Sequence, residues 1–358
     1  MWKRTRITDQ LRIEWPIIQA GMAGGSTTPE LVAAVSEAGG LGTLGAAYMS
    51  PEQIRAAIRE IRQKTAKPFG VNLFIPEAYD REHRVSPAVT KTLNEVRKRL
   101  GIPVDPQVTR YAEPFAEQME VVLEERVPVF SFTFGVLEPS WMTELKRRGI
   151  VVIGTATTVR EALAQEASGV DVVTAQGSEA GGHRGSFLQD APSNRIGTMA
   201  LVPQVVDAVK IPVIAAGGIM DGRGIAAAFA LGAQAVQLGT AFLPCVESGA
   251  HPLHKQAVRE ARDETAVITR AFSGKAARGI ENEFMTLLAE HEQELPPYPI
   301  LNALTRDIRA AAAKQQRSEY LSLWAGQAAS LSREMTAAEL LKKLAAETEE
   351  ACRRLNER

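Results

Sequence analysis

Two hydrophobic patterns alternate along the chain. Eight short runs, at 16–20, 41–45, 69–74, 128–132, 150–154, 171–175, 212–216 and 235–238, are mostly apolar throughout and rich in β-branched residues, which predicts strands. Continuous apolarity, rather than in–out alternation, fits parallel strands covered on both faces. Between them, segments 29–38, 51–63, 139–148, 159–167, 200–209 and 222–231 carry helical periodicity, and several end at a glycine (Gly39, Gly149, Gly169, Gly232). Eight strands alternating with helices predict an α/β fold, a TIM-type (β/α)8 barrel. A doubly wound sheet is the alternative, but it has fewer strands as a rule. The Gly-x-Gly-x-x-Gly turn expected after its first strand is also missing; AGMAGG has the glycines at another spacing.

Two regions exceed a minimal barrel. Residues 75–127 separate the third and fourth strands and predict two helices, near 86–100 and 107–125. Residues 247–358 read as largely helical and end in an amphipathic stretch at 336–355. The expected organisation is a barrel over 1–246 with a helical insertion at 75–127, then a mainly helical lid or second domain over 247–358. The alternative is that these segments decorate the barrel or form an oligomer contact.

Composition narrows the function classes. With 358 residues, 45% hydrophobic and 23% charged, the chain can bury a large core. Its 41 basic and 42 acidic residues leave no basic field to attract nucleic acid or an anionic membrane. Segment 224–246 is uncharged and long enough to span a bilayer. It contains Gly232, Gln234, Gln237, Gly239 and Pro244 and divides into helix, turn and strand, so a buried barrel segment is expected. The N-terminus lacks the apolar core of a signal peptide. Cys245 and Cys352 match no zinc or haem spacing, which points to a reducing, cytoplasmic setting.

Barrel active sites sit at the C-terminal strand ends. The seventh strand runs into Gly217-Gly218 and the eighth into Gly239-Thr240, where such barrels often hold phosphate. Glycine lets backbone N–H groups approach an anion, and Thr240 adds a hydroxyl. The sixth strand leads into QGSEAGGHRG, in which His183 is flanked by small residues. An imidazole there is a candidate base. The other four histidines, at 83, 251, 254 and 291, fall in predicted helices or insertions without evident partners. Glu179 and Arg184 read more readily as loop-fixing than as chemical groups. Asn72 and Gln176 carry amides at strand ends, suited to the mixed donors and acceptors of a flavin edge. No metal-ligand pattern, P-loop or Ser-His-Asp arrangement is present.

The segments PIIQAGMAGGSTTPELVAAVSEAGGLGTLG, AQGSEAGGHRG, PVIAAGGIMDGRGIAAAFALGAQAVQLGTAF, TRAFSGKAARGIENEF and SLWAGQAASLSREM together resemble the nitronate monooxygenase family, over about residues 15–341. The resemblance implies non-covalent FMN, no metal, and oxidation of a nitronate or nitroalkane by O2. It implies flavin contacts at Ala20, Gly21, Met22, Asn72, Gln176, Gly181, Gly218, Gln237, Leu238, Gly239 and Thr240, with His183 as catalytic base. The nearest rival is an FMN-dependent enoyl-acyl-carrier-protein reductase; an NADH:quinone reductase uses the same scaffold. The His-Arg-Gly continuation and Ala325-Gly326-Gln327 favour the nitronate enzyme. A flavin-binding protein without turnover is the non-enzymatic alternative, and it has no need of His183.

Overall fold

The computed structural model describes residues 2–80, 82–188 and 195–357. Among the described residues eleven strands follow in chain order: β1 (Ile17–Gln19), β2 (Gly42–Gly45), β3 (Phe69–Phe74), β4 (Val129–Thr133), β5 (Val151–Ala156), β6 (Val172–Gln176), β7 (Gly182–His183), β8 (Val213–Ala216), β9 (Ala235–Leu238), β10 (Ala266–Thr269) and β11 (Ala277–Ile280). Eight of them form one parallel sheet in the order β1-β9-β8-β6-β5-β4-β3-β2. A bridge between Ile18 and Leu41 brings β1 to β2 and closes the barrel. All eight predicted strands are therefore found, and β8 and β9 are the seventh and eighth of the barrel. Their side chains are buried almost throughout, which explains the unbroken apolar runs.

Local chemistry fixes the helix starts. Pro29, Pro51 and Pro87 each occupy the first turn, and the preceding Thr28, Ser50 and Ser86 accept a backbone N–H there. The helix after β9 is supplied from far along the chain. Helix Ala337–Asn356 packs on helices Gly222–Ala230 and Pro29–Glu37, and Leu340, Leu341 and Leu344 join the core of β1, β8 and β9. Gly222 permits this approach, since a Cβ there would lie 2.2 Å from the backbone of Glu347.

The chain beyond residue 246 is mainly helical but not wholly so. It contains β10 and β11, which pair antiparallel, and β11 also pairs with β7. Strands of four residues, one carrying Arg278 and Gly279, lack the long apolar run that would have announced them. The helix expected near 107–125 forms only at Phe115–Glu124, because Pro114 sets its start. Helix Pro87–Arg99 of the insertion shares a second core with the post-barrel segment: Val89, Leu93 and Val96 cluster with Phe272, Phe284, Leu301 and Ile308. Buried Arg97 ties the two together, 2.8 Å from Asp307. Segment 224–246 forms a helix, β9 and a 3-10 turn. Among the described residues no helix is long and apolar enough to cross a membrane.

Candidate functional site

A cavity of about 480 Å³ opens at the C-terminal ends of the barrel strands. Ala20, Gly21, Met22, Asn72, Gln176, Gly181, His183, Gly218, Gln237, Gly239 and Thr240 all line it. These are the predicted site residues with one exception. Leu238 turns into the barrel core, and its carbonyl accepts the N–H of Ala20. Strand alternation accounts for this, because neighbours on one strand point to opposite faces.

At the β8 and β9 end the backbone forms glycine turns at the cavity wall, the candidate cradle. Gly217 and Gly218 adopt φ of 113° and 71°, a region open to glycine. The Thr240 hydroxyl accepts the N–H of Gly326 at 3.0 Å, which leaves its own proton for a ligand. That contact places the Ala325-Gly326-Gln327 segment across the cradle, where Gly181 must also be small: a Cβ there would lie 2.5 Å from the nitrogen of Gly326. Glu179 is a loop-fixing residue. Its carboxylate accepts the N–H of Thr198 at 2.8 Å and 2.9 Å, capping helix Thr198–Ala208, whose own N-cap, Gly197, has no side chain. Arg184 likewise donates to the carbonyls of Gln176 and Thr157.

On the opposite wall, Asn72 donates to Ser131 Oγ at 3.0 Å, while its Oδ1 is buried with no partner among the described residues. An orphaned acceptor at a cavity wall is costly unless a ligand N–H completes it. Gln176 is fully engaged in shaping the loop, donating to His183 O and accepting from Gly185 N.

His183 lies on β7, in register with Ala277 of β11, so the unforeseen small sheet is what holds the candidate base. Its Nε2 is 2.8 Å from Ser273 Oγ, and that hydroxyl donates onward to Lys275 O. With the hydroxyl proton on Lys275 O, the tautomer this contact favours carries the proton on Nε2 and leaves the Nδ1 lone pair free. Phe74, Phe134, Tyr298 and Trp324 surround the ring at centroid distances of 5.5–6.2 Å. Burial in this cage, with the nearby charges of Lys275 and Arg309, pushes the imidazole down to about 3. The imidazole is therefore uncharged across the physiological range. Phe134 holds its place in the cage at φ 77°, a strained position for a non-glycine residue.

His254, expected to lack a partner, also lines the cavity, and its Nε2 bonds to Trp324 O at 2.9 Å. Burial lowers its proton affinity to about 4, against the raising effect of that hydrogen bond. His251 instead caps its own helix through Nδ1. Cys245 is fully buried, and burial followed by Glu247 pushes its thiol up to about 12, so no thiolate nucleophile is available there.

The sequence profile of the nitronate monooxygenase family matches residues 4–347. The chain belongs to the nitronate monooxygenase family. A probable nitronate monooxygenase from Staphylococcus haemolyticus (strain JCSC1435) is 46% identical over 346 residues, 96% of this chain and 97% of the relative. Among solved structures, nitroalkane oxidase from Streptomyces ansochromogenes superposes with a TM-score of 0.88 at 41% identity, covering 98% of this chain and 100% of that one. FabK from Thermotoga maritima superposes with a TM-score of 0.78 at 38% identity, covering 99% and 98%. Membership of the nitronate monooxygenase family makes the protein an oxidoreductase.

Sequence reasoning did not single out Ser273, Lys275, Tyr298, Arg309 or Trp324, all of which surround His183 or line its cavity. Ser273 is 90 residues from His183, and nothing in the spacing announces the contact. Its role is testable. Ser273→Ala removes the acceptor that orients Nε2–H, and the rate on a neutral nitroalkane is expected to fall roughly two- to tenfold, the worth of a hydrogen bond of about 0.5–1.5 kcal/mol. The rate on a preformed nitronate should fall less. Equal losses on both substrates would mean that Ser273 only supports the loop.

Proposed function

We propose that the protein oxidises alkyl nitronates, and neutral nitroalkanes through them, with molecular oxygen, using FMN held in the barrel mouth and no NAD(P)H. The observation that carries this reading is a neutral imidazole caged by aromatic rings at the cavity wall. An imidazole that lines the cavity in its uncharged form has a nitrogen lone pair to accept a proton from carbon.

The residues present fit FMN. The Gly217-Gly218 and Gly239-Thr240 turns offer backbone N–H groups and a hydroxyl to one phosphate, and the orphaned Asn72 Oδ1 offers an acceptor to a ring N–H. Bound there, FMN supplies the redox chemistry between substrate and oxygen. The protein's own share is threefold. His183 Nδ1 takes the α-proton of a neutral nitroalkane. Ser273 holds the ring in the tautomer that leaves Nδ1 free. Phe74, Phe134, Tyr298 and Trp324 keep bulk water from the imidazole.

Oxygen uptake with an alkyl nitronate and no added NAD(P)H tests the activity, and mass spectrometry of the released cofactor tests FMN. Brisk NADH oxidation with an enoyl thioester or quinone, and no uptake with nitronate, would assign the site to a reductase.

The depressed proton affinity of His183 has a definite pH signature. The base stays deprotonated as pH falls through 6.5 and takes up a proton only near about 3. The rate on a neutral nitroalkane is therefore expected to show no acid-side loss centred near 6.5. In the same window the unfolded chain binds a proton that the folded protein does not, so stability falls as pH drops from 6.5 toward about 3. A pH–rate profile falling with an apparent pKa near 6.5 would place the imidazole in contact with water.

A further inference from the structure

Arg309 lies on helix Arg306–Lys314, outside the barrel, yet it lines the same cavity as His183. Its Nε donates to Thr305 O, and one terminal nitrogen, Nη2, donates to the carbonyl and Oδ1 of Asn302. Every one of these acceptors is neutral. Among the described residues no carboxylate pairs with Arg309, and nothing bonds its Nη1. The other cation near His183 is different, because Lys275 is paired with Glu77 at 2.5 Å. Arg309 is thus a half-buried positive charge without a counter-ion among the described residues. Such a charge is expensive to keep unless something completes it.

Tyr48 supplies a second, independent observation. It follows β2 and lines the cavity too; its hydroxyl is buried beside that of Tyr298, with no hydrogen bond of standard geometry among the described residues. A guanidinium edge and a phenol, both with donors to spare, therefore face one enclosed space. Planar anions with two equivalent oxygens are the ligands that guanidinium recognises best. A nitronate has that shape and charge, and so does a carboxylate. Asn302 and Thr305 would hold the guanidinium still while it bonds, which removes much of the entropy cost of recognition.

We propose that Arg309 and Tyr48 form the anion-recognition subsite of this pocket, holding the two-oxygen group of the substrate while His183 faces its α-carbon. This rests on the reading of the site given above and adds the residues that select an anion. The charge of Arg309 reaches His183, lowering its proton affinity after burial and Lys275, as groups sharing one substrate would require.

The test uses the flavin-loaded protein and isobutyrate, a two-oxygen anion with the shape of propyl-2-nitronate, with isobutyramide as its uncharged counterpart. Binding is read from the flavin spectrum, without turnover. Isobutyrate is expected to bind at least tenfold more weakly to Arg309→Met and a few-fold more weakly to Tyr48→Phe, with Arg309→Lys in between. Isobutyramide should bind all of them alike, and KM for the nitronate should follow isobutyrate. Unchanged isobutyrate affinity in Arg309→Met refutes the subsite, as does loss of FMN from that variant, which would assign the guanidinium to the cofactor. Should Arg309→Met fold poorly, Arg309→Lys and Tyr48→Phe decide, and unchanged isobutyrate affinity in both refutes it. If wild-type protein fails to oxidise the nitronate while its isobutyrate binding depends on Arg309, the subsite stands and the proposed reaction falls.

Discussion

His183→Asn is expected to keep its cofactor and lose about 10²–10⁴-fold in rate on a neutral nitroalkane, the usual worth of a general base. A neutral nitroalkane must give up its α-proton before it becomes electron-rich, whereas a nitronate has already lost it. The variant should therefore retain far more activity on the preformed nitronate. Asparagine keeps a polar group near Ser273, so β7 and its pairing with β11 are expected to survive. Cofactor content is measured first, and both substrates are assayed on one preparation. Equal losses would show that the imidazole positions the substrate without accepting its proton. No loss on either would make His183 structural.

Gly239→Val separates the cradle from the fold. Gly239 adopts φ −107°, which any residue can take, and a Cβ there would meet only Met22 and Ala20 at 3.6–3.7 Å. The backbone tolerates the substitution, and the added methyl groups enter the cavity where a phosphate would lie. Thermal stability of the cofactor-free protein should hardly change. FMN affinity should drop about 10- to 100-fold, since charge-assisted hydrogen bonds are worth about 1.5–3 kcal/mol each. Fluorescence titration of the cofactor-free protein reads this directly. Gly218 is a poorer probe, because its φ of 71° makes any side chain a strain on the loop as well. Unaltered affinity in Gly239→Val would put the phosphate elsewhere.

The barrel was legible because parallel strands buried on both faces leave unbroken apolar runs, and all eight were found where those runs lie. The candidate cradle stood out for a related reason: the glycines at 217, 218 and 239 stand at strand ends. The small sheet was not. β7 is two residues long, and β10 and β11 are four residues each, with charge and glycine among them, as at Arg278 and Gly279. β10 and β11 pair locally, but the pairing of β11 with β7 joins Ala277 to His183 and Arg278 to Gly182 across the chain, which periodicity does not encode. The same holds for Ser273 and Arg309, whose significance comes from where the post-barrel segment folds over the mouth. Leu238 shows the opposite: motif membership placed it at the site, whereas strand alternation turns its side chain into the core.

The helix closing the barrel teaches a related lesson. Residues 336–355 read as amphipathic, which was correct, but an amphipathic face does not name its partner. That face is buried against the helices that follow β1 and β8, through Leu340, Leu341 and Leu344.

The measurement that bears most directly on the proposed reaction is anaerobic mixing of the purified, flavin-loaded protein with an alkyl nitronate and, separately, with NADH. The account predicts rapid bleaching of the flavin absorbance by the nitronate, slow or no bleaching by NADH, and recovery of colour when oxygen is admitted. Rapid bleaching by NADH with none by the nitronate would contradict it.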